Sequence, residues 1–191
     1  MTRVRSAWEK FRQLLPLLTS KGLSLTTRGS IYKTYIRPVL LYGSECWAPV
    51  VSDILKLQRN DRAMLRWICG TSLKNRESSL SILNRLGIDD LETTIRLNRL
   101  RWFGHVQRST SSINEITSFV VGRGRPRKTW YECIKSDISK FGMSEIDPND
   151  RLLWRKNLRA NMVQPPDREQ KHPKRIKKKE RRRMVLTGAV V

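Results

Sequence analysis

The chain has 191 residues and carries 39 lysines and arginines against 17 acidic residues, a net charge of +22. That length holds one ordinary domain or two small ones and excludes a large enzyme, while the charge far exceeds what solubility needs and points to a polyanion. No stretch approaches the roughly 18 consecutive apolar residues of a membrane span, the closing Met184–Val191 is too short to cross a bilayer, and no apolar signal-peptide core stands near Met1. Nucleic acid is therefore the expected partner, with no membrane contact, in an intracellular protein. Cys46, Cys69 and Cys133 are odd in number and widely spaced, so they are expected reduced and buried and not paired in disulfides. With only His105 and His172 beside them, no ligand set at zinc spacing can be written. Neither metal nor cofactor is expected.

Val4, Trp8, Phe11, Leu15 and Leu18 recur at helical spacing and predict a first helix that Gly22 can close. A second helix is expected from about Thr26 or Thr27, with Ile31, Tyr35, Val39 and Tyr42 along one face, a kink or break at Pro38 and an end at Gly43. Asp53 is a candidate cap for a third helix whose Leu57, Met64, Leu65 and Ile68 face inward, with Trp67 beside them, Asp61 interrupting the stripe and Gly70 as the stop. A short helix over Ser79 to Leu86 ends at Gly87. Asp89 or Asp90 can cap a longer one with Leu91, Ile95, Trp102 and Val106 on one side. Its other side is basic: Arg101, His105 and Arg108 lie at i, i+4 and i+7, and Arg96 and Arg99 form a second pair.

A polar stretch at 109–112 and a short apolar run at Phe119 to Val121 lead into Gly122-Arg-Gly-Arg-Pro-Arg-Lys128. The two glycines free the backbone, and Pro126 fixes its own φ and pushes Arg125 out of the helical region. The result is an extended strip that carries Arg123, Arg125, Arg127 and Lys128 and has nothing apolar to bury. Thr129 and Glu132 then form a capping box, and Trp130, Ile134, Ile138 and Phe141 make a helical stripe. Asp147-Pro148 opens the last helix, with Trp154 and Leu158 one turn apart. Beyond Pro165-Pro166, residues 164–183 hold ten lysines and arginines against Asp167, Glu169 and Glu180, a net +7 that leaves +15 on the rest. Charge at that density repels itself, so a disordered arm is expected.

Four stretches line up in order with a known family: Ile31-Tyr-Lys-Thr-Tyr-Ile-Arg-Pro-Val-Leu-Leu-Tyr-Gly-Ser-Glu-Cys-Trp47, Leu65-Arg-Trp-Ile-Cys-Gly70, Arg99-Leu-Arg-Trp-Phe-Gly-His-Val106 and Gly122-Arg-Gly-Arg-Pro-Arg-Lys-Thr-Trp130. Together they resemble the carboxy-terminal part of non-LTR retrotransposon reverse transcriptases, over roughly residues 1 to 158. The resemblance implies thumb-like helices over 1–48 that lie against template and primer. A basic helical region at 49–112, a Gly/Arg linker at 113–128, a helical pair at 129–162 and a disordered basic tail at 163–191 would follow. It also implies an absence. The polymerase holds two magnesium ions on paired aspartates in a Tyr-x-Asp-Asp turn, and this chain has no such turn. Asp89-Asp90 precedes a helical stripe, where free amides and the helix dipole favour carboxylates for structural reasons alone. The palm, the fingers and the endonuclease are missing, so no catalysis is expected of the chain as it stands.

The expected fold is all-α, with about seven helices in two small packed groups joined near residues 109–128. The expected function is nucleic-acid binding. Lys33, Arg37, Arg96, Arg99, Arg101 and Arg108 would meet phosphates from helix faces, with little base readout. Arg123, Arg125, Arg127 and Lys128 would do so from the strip, which can lie in an A·T-rich minor groove, touch phosphates without sequence preference, or stay a solvated loop. Lys174, Arg175, Lys177, Lys178, Lys179, Arg181, Arg182 and Arg183 read as a nuclear-localisation signal or a nucleic-acid arm, which places the protein in the nucleus or in a cytoplasmic ribonucleoprotein. Trp8, Trp102, Trp130 and Trp154 fall on apolar stripes and read as core anchors; Trp47 is the least constrained. His105 has no identifiable catalytic partner. Other readings of the same residues are a non-functional remnant or truncated gene model of a complete reverse transcriptase, and a domesticated AT-hook-like DNA-binding module. The missing palm is a further candidate partner.

Overall fold

Local signals place most helix ends in the computed structural model, which describes residues 2–109 and 128–163 and is all-α, with no strand among them. Helix α1 runs Thr2–Leu18 and α2 runs Leu25–Ile31, capped by Ser24, whose hydroxyl accepts the Thr27 N–H. A π-helical segment, Tyr32–Ile36, leads into α3, Arg37–Leu40, and a 3-10 turn at Ser44–Cys46. Helix α4 covers Val51–Cys69, so Asp53 sits in its first turn and not at its cap. A second 3-10 turn, Leu73–Asn75, precedes α5, Ser79–Leu86. Helix α6, Leu91–Gln107, is capped by Asp90, whose Oδ2 accepts from Glu92 and Thr93. The expected capping box opens α7, Trp130–Lys140. Helix α8, Arg151–Val163, is capped by Asp150, one short turn after the expected Asp147-Pro148. Gly70 and Gly87 close α4 and α5 in left-handed backbone, as their positions suggested.

Pro38 explains the irregular second helix. Its missing N–H and its ring disrupt the ladder one turn back, and the chain widens so that the Arg37 N–H reaches Tyr32 O, five residues away. The widening rotates the buried face. Tyr32, Ile36 and Leu40 are inside, while Tyr35 and Tyr42 of the expected stripe are 56% and 75% exposed. The α2 end of this segment lies close against α5: a Cβ at Gly29 would sit 2.0 Å from Leu86 O, so only glycine allows the approach.

Two hydrophobic clusters form the interior. The first gathers Ala7, Phe11 and Leu18 of α1, Tyr32, Ile36 and Leu40, Met64, Leu65 and Ile68 of α4, α5, and the beginning of α6 through Ile95. The second gathers Leu97, Leu100 and Phe103 of α6 with Ile134, Phe141, Met143, Trp154 and Leu158. They meet inside α6. Ile95 and Leu97 are two residues apart, hence on opposite sides of a helix turning about 100° per residue, and each side faces a different core. The single stripe expected for this helix is thereby replaced, and Trp102, assigned to it, is 39% exposed. Trp130 adds a second link by donating its indole N–H to Glu45 O at 2.7 Å.

Candidate nucleic-acid interface

Of the arginines expected to touch phosphates, Arg37 and Arg99 are buried and Arg96 is half-buried. Arg37 is 3% exposed, and its guanidinium faces the Asp61 carboxylate at 3.3 Å while donating to Asp89 O at 2.7 Å. Asp61 also accepts the Tyr32 hydroxyl at 2.8 Å. The acid that interrupted the α4 stripe is thus the partner of a buried cation. In the second core Arg96 bridges Asp137 at 2.6 Å and Glu92, and buried Arg99 stands 3.5 Å from the other Asp137 oxygen. A buried charge is tolerated only when paired, so Arg37 and Arg99 are corrected from phosphate contacts to internal ion-pair partners, while half-buried Arg96 is engaged by Glu92 and Asp137.

Lys33 is exposed but pairs with Asp89 at 2.8 Å, and Arg108 donates to Pro148 O at 2.6 Å, holding the α6 end to the loop before α8. Arg101 is exposed and donates to Asn98. Lys128 is exposed beside the Thr129 cap. Arg123, Arg125 and Arg127, and the tail residues from Lys174 to Arg183, lie outside the described residues.

The networks titrate as their surroundings dictate. Burial, then the charge of Asp61, hold the Tyr32 phenol well above its ordinary value of 10.0. Burial works to raise Glu92, but the hydrogen bond and charge of Arg96 outweigh it and leave the carboxyl low. Because folding raises the Tyr32 value, its contribution to stability is complete below pH 10 and is lost as pH rises further. Urea unfolding between pH 9 and pH 11.5 is expected to show falling stability, with a shallower fall in Tyr32→Phe. Equal slopes would mean that Tyr32 ionises as freely in the native protein as in the unfolded chain.

These networks contain three arginines and three carboxylates, Asp61, Glu92 and Asp137, and so cancel. Residues 2–109 and 128–163 hold 26 lysines and arginines against 13 acidic residues, so the whole excess of +13 resides on the other side chains. Part of it is arranged. Arg151, Arg155 and Arg159 repeat every four residues along α8 and are all exposed, which makes a row of guanidinium groups about 6 Å apart along the helix. Trp154 and Leu158 bury the flank next to this row, about 80° around a helix that turns about 100° per residue. Four-residue arginine spacing is the sequence signal for this row, interleaved with the apolar pair Trp154 and Leu158. A second basic region lines α1 and α4, where Arg5, Trp8, Glu9, Arg12 and Trp67 border an open groove. Trp47 is half-buried under Arg3, whose guanidinium lies 4.5 Å from its ring centre, so it is more constrained than expected.

Cys133 is buried, Cys69 half-buried and Cys46 exposed, which corrects the expectation of three buried thiols; none is in a disulfide. Burial pushes the Cys46 and Cys69 thiols up. No group of three or more metal-ligating side chains occurs among the described residues, and no helix there is long and apolar enough to cross a membrane. Comparison of the chain with family models, curated proteins and solved structures gives no match.

Proposed function

We propose that the protein binds nucleic acid through rows of exposed arginines and lysines, without catalysing a reaction on it. The observation that carries this reading is the charge balance: the buried arginines are neutralised internally, so the excess of +13 faces water, and α8 sets part of it in a regular row. Such a surface repels itself unless a polyanion neutralises it. Phosphate contacts release counterions and supply affinity with little sequence preference. The four motifs and their order support a relation to the carboxy-terminal region of non-LTR retrotransposon reverse transcriptases. A nuclear or cytoplasmic ribonucleoprotein location and docking to a polymerase palm belong to the same reading.

Fluorescence anisotropy with a labelled duplex tests it. Log affinity is expected to fall linearly with log salt, and the triple variant R151Q/R155Q/R159Q, altered only on an exposed face, should lose affinity and flatten the slope by about 0.9 for each contact removed. Absence of duplex and single-strand binding at low salt would reject the function. An unchanged slope in the triple variant would remove α8 from the interface.

A further inference from the structure

Trp67 is 54% exposed near the end of α4, although indole is among the most costly side chains to leave in water. It is not loosely placed. Its ring meets the core residue Phe11 at 6.0 Å and 65°, and Trp8 at 6.5 Å and 61°, both edge-on contacts. Trp8 meets Phe11 at 5.4 Å and 76°, and its indole N–H donates to Asn60 at 3.0 Å. Three aromatic rings therefore brace one another in contacts made edge to face, and the most exposed of them offers an aromatic surface to the groove between α1 and α4.

The groove has a polar side as well. Arg5 is tied to Glu9 at 3.1 Å, one turn along α1, which spends both charges locally. Arg12 lines the same groove, is exposed and makes no ion pair among the described residues. A rigid aromatic face beside a cation suits a nucleotide: every base has a π-face, and its phosphate needs a positive charge. Bases inside a duplex are already stacked and paired, so an unpaired base is what can reach Trp67. A net positive rim in a chain of charge +22 favours this polyanion over a protein surface.

We propose that the α1/α4 groove takes an unpaired nucleobase of single-stranded nucleic acid, stacked on Trp67, with a neighbouring phosphate on Arg12. This rests on the nucleic-acid reading above and adds a strand preference and a site to it. Neither residue belongs to the internal ion-pair networks, so both can be altered without disturbing them.

The test is binding of the full chain, as wild type, Trp67→Ala, Trp67→Phe and Arg12→Gln, to a fluorescein-labelled oligothymidylate and to a blunt-ended two-strand duplex with no unpaired base. Thermal melting by circular dichroism verifies that each variant is folded. Trp67→Ala is expected to weaken oligothymidylate binding by about 5- to 150-fold and to leave duplex binding unchanged, while Trp67→Phe, which keeps an aromatic face, retains most of the affinity. Arg12→Gln should lower the single-strand salt slope by about 0.7. Wild-type binding to both probes with no effect of Trp67→Ala overturns the groove and leaves the general reading intact. An equal loss on both probes overturns stacking, as does a Trp67→Ala effect confined to self-association in sedimentation. Failure of wild type to bind either probe overturns both proposals.

Discussion

Asp61→Ala is expected to destabilise the fold by about 3–5 kcal/mol, because it strands the Arg37 guanidinium in a site that is 3% exposed and removes the acceptor of the Tyr32 hydroxyl. For a chain of this length that corresponds to a fall in Tm of about 6–20 °C. The double variant Arg37→Met with Asp61→Leu should be more stable than Asp61→Ala alone, since it leaves no charge unpaired. Urea unfolding of the three proteins measures this. A cost below about 1 kcal/mol for Asp61→Ala would mean that water reaches Arg37 and that the pair is not a buried one.

Trp154→Ala is expected to cost a similar amount, about 3–5 kcal/mol, by opening a cavity at the centre of the second core. Trp154 is almost fully buried and donates its indole N–H to Leu100 O at 3.1 Å. Gly104 shows how tight the fit is: a Cβ there would come within 2.5 Å of the same indole nitrogen. Gly104→Ala must therefore displace the ring and should reproduce part of the loss. Near-ultraviolet circular dichroism, which reports tryptophans held in fixed surroundings, should weaken in both variants along with urea resistance. Native-like spectra and midpoints would show that α8 contributes little to the core.

Which features the amino-acid order revealed follows from the range of the forces involved. Caps and stops at Ser78, Asp90, Thr129, Gly70 and Gly87 are settled within a few residues, and all but the Ser78 cap, whose helix was nonetheless placed at Ser79, were legible as such. The all-α class followed from the same periodicities. The second helix was read one face off because the π segment forced by Pro38 inserts a rotation that a fixed 3.6 period does not contain. Arg37 and Arg99 looked like surface cations because their partners, Asp61 and Asp137, come from other helices 24 and 38 positions away. An odd acid within an apolar stripe, as at Asp61, is the local sign that a buried base exists elsewhere. The exposed surface was harder still: Trp67 sits on an inward-looking helix, and only the packing of α1 over α4 shows which side of it stays open.

Helix α6 has a consequence for dissecting this chain. Since its opposite sides complete two different interiors, a fragment that stops after Ser109 would carry Leu97, Leu100 and Phe103 as a bare greasy ridge, and one that starts at Lys128 would lack the wall against which Trp154 rests. Losing either half exposes surface belonging to the other, so truncation is a poor means of assigning separate roles to the two ends. Point substitutions on the outside are the cleaner instrument.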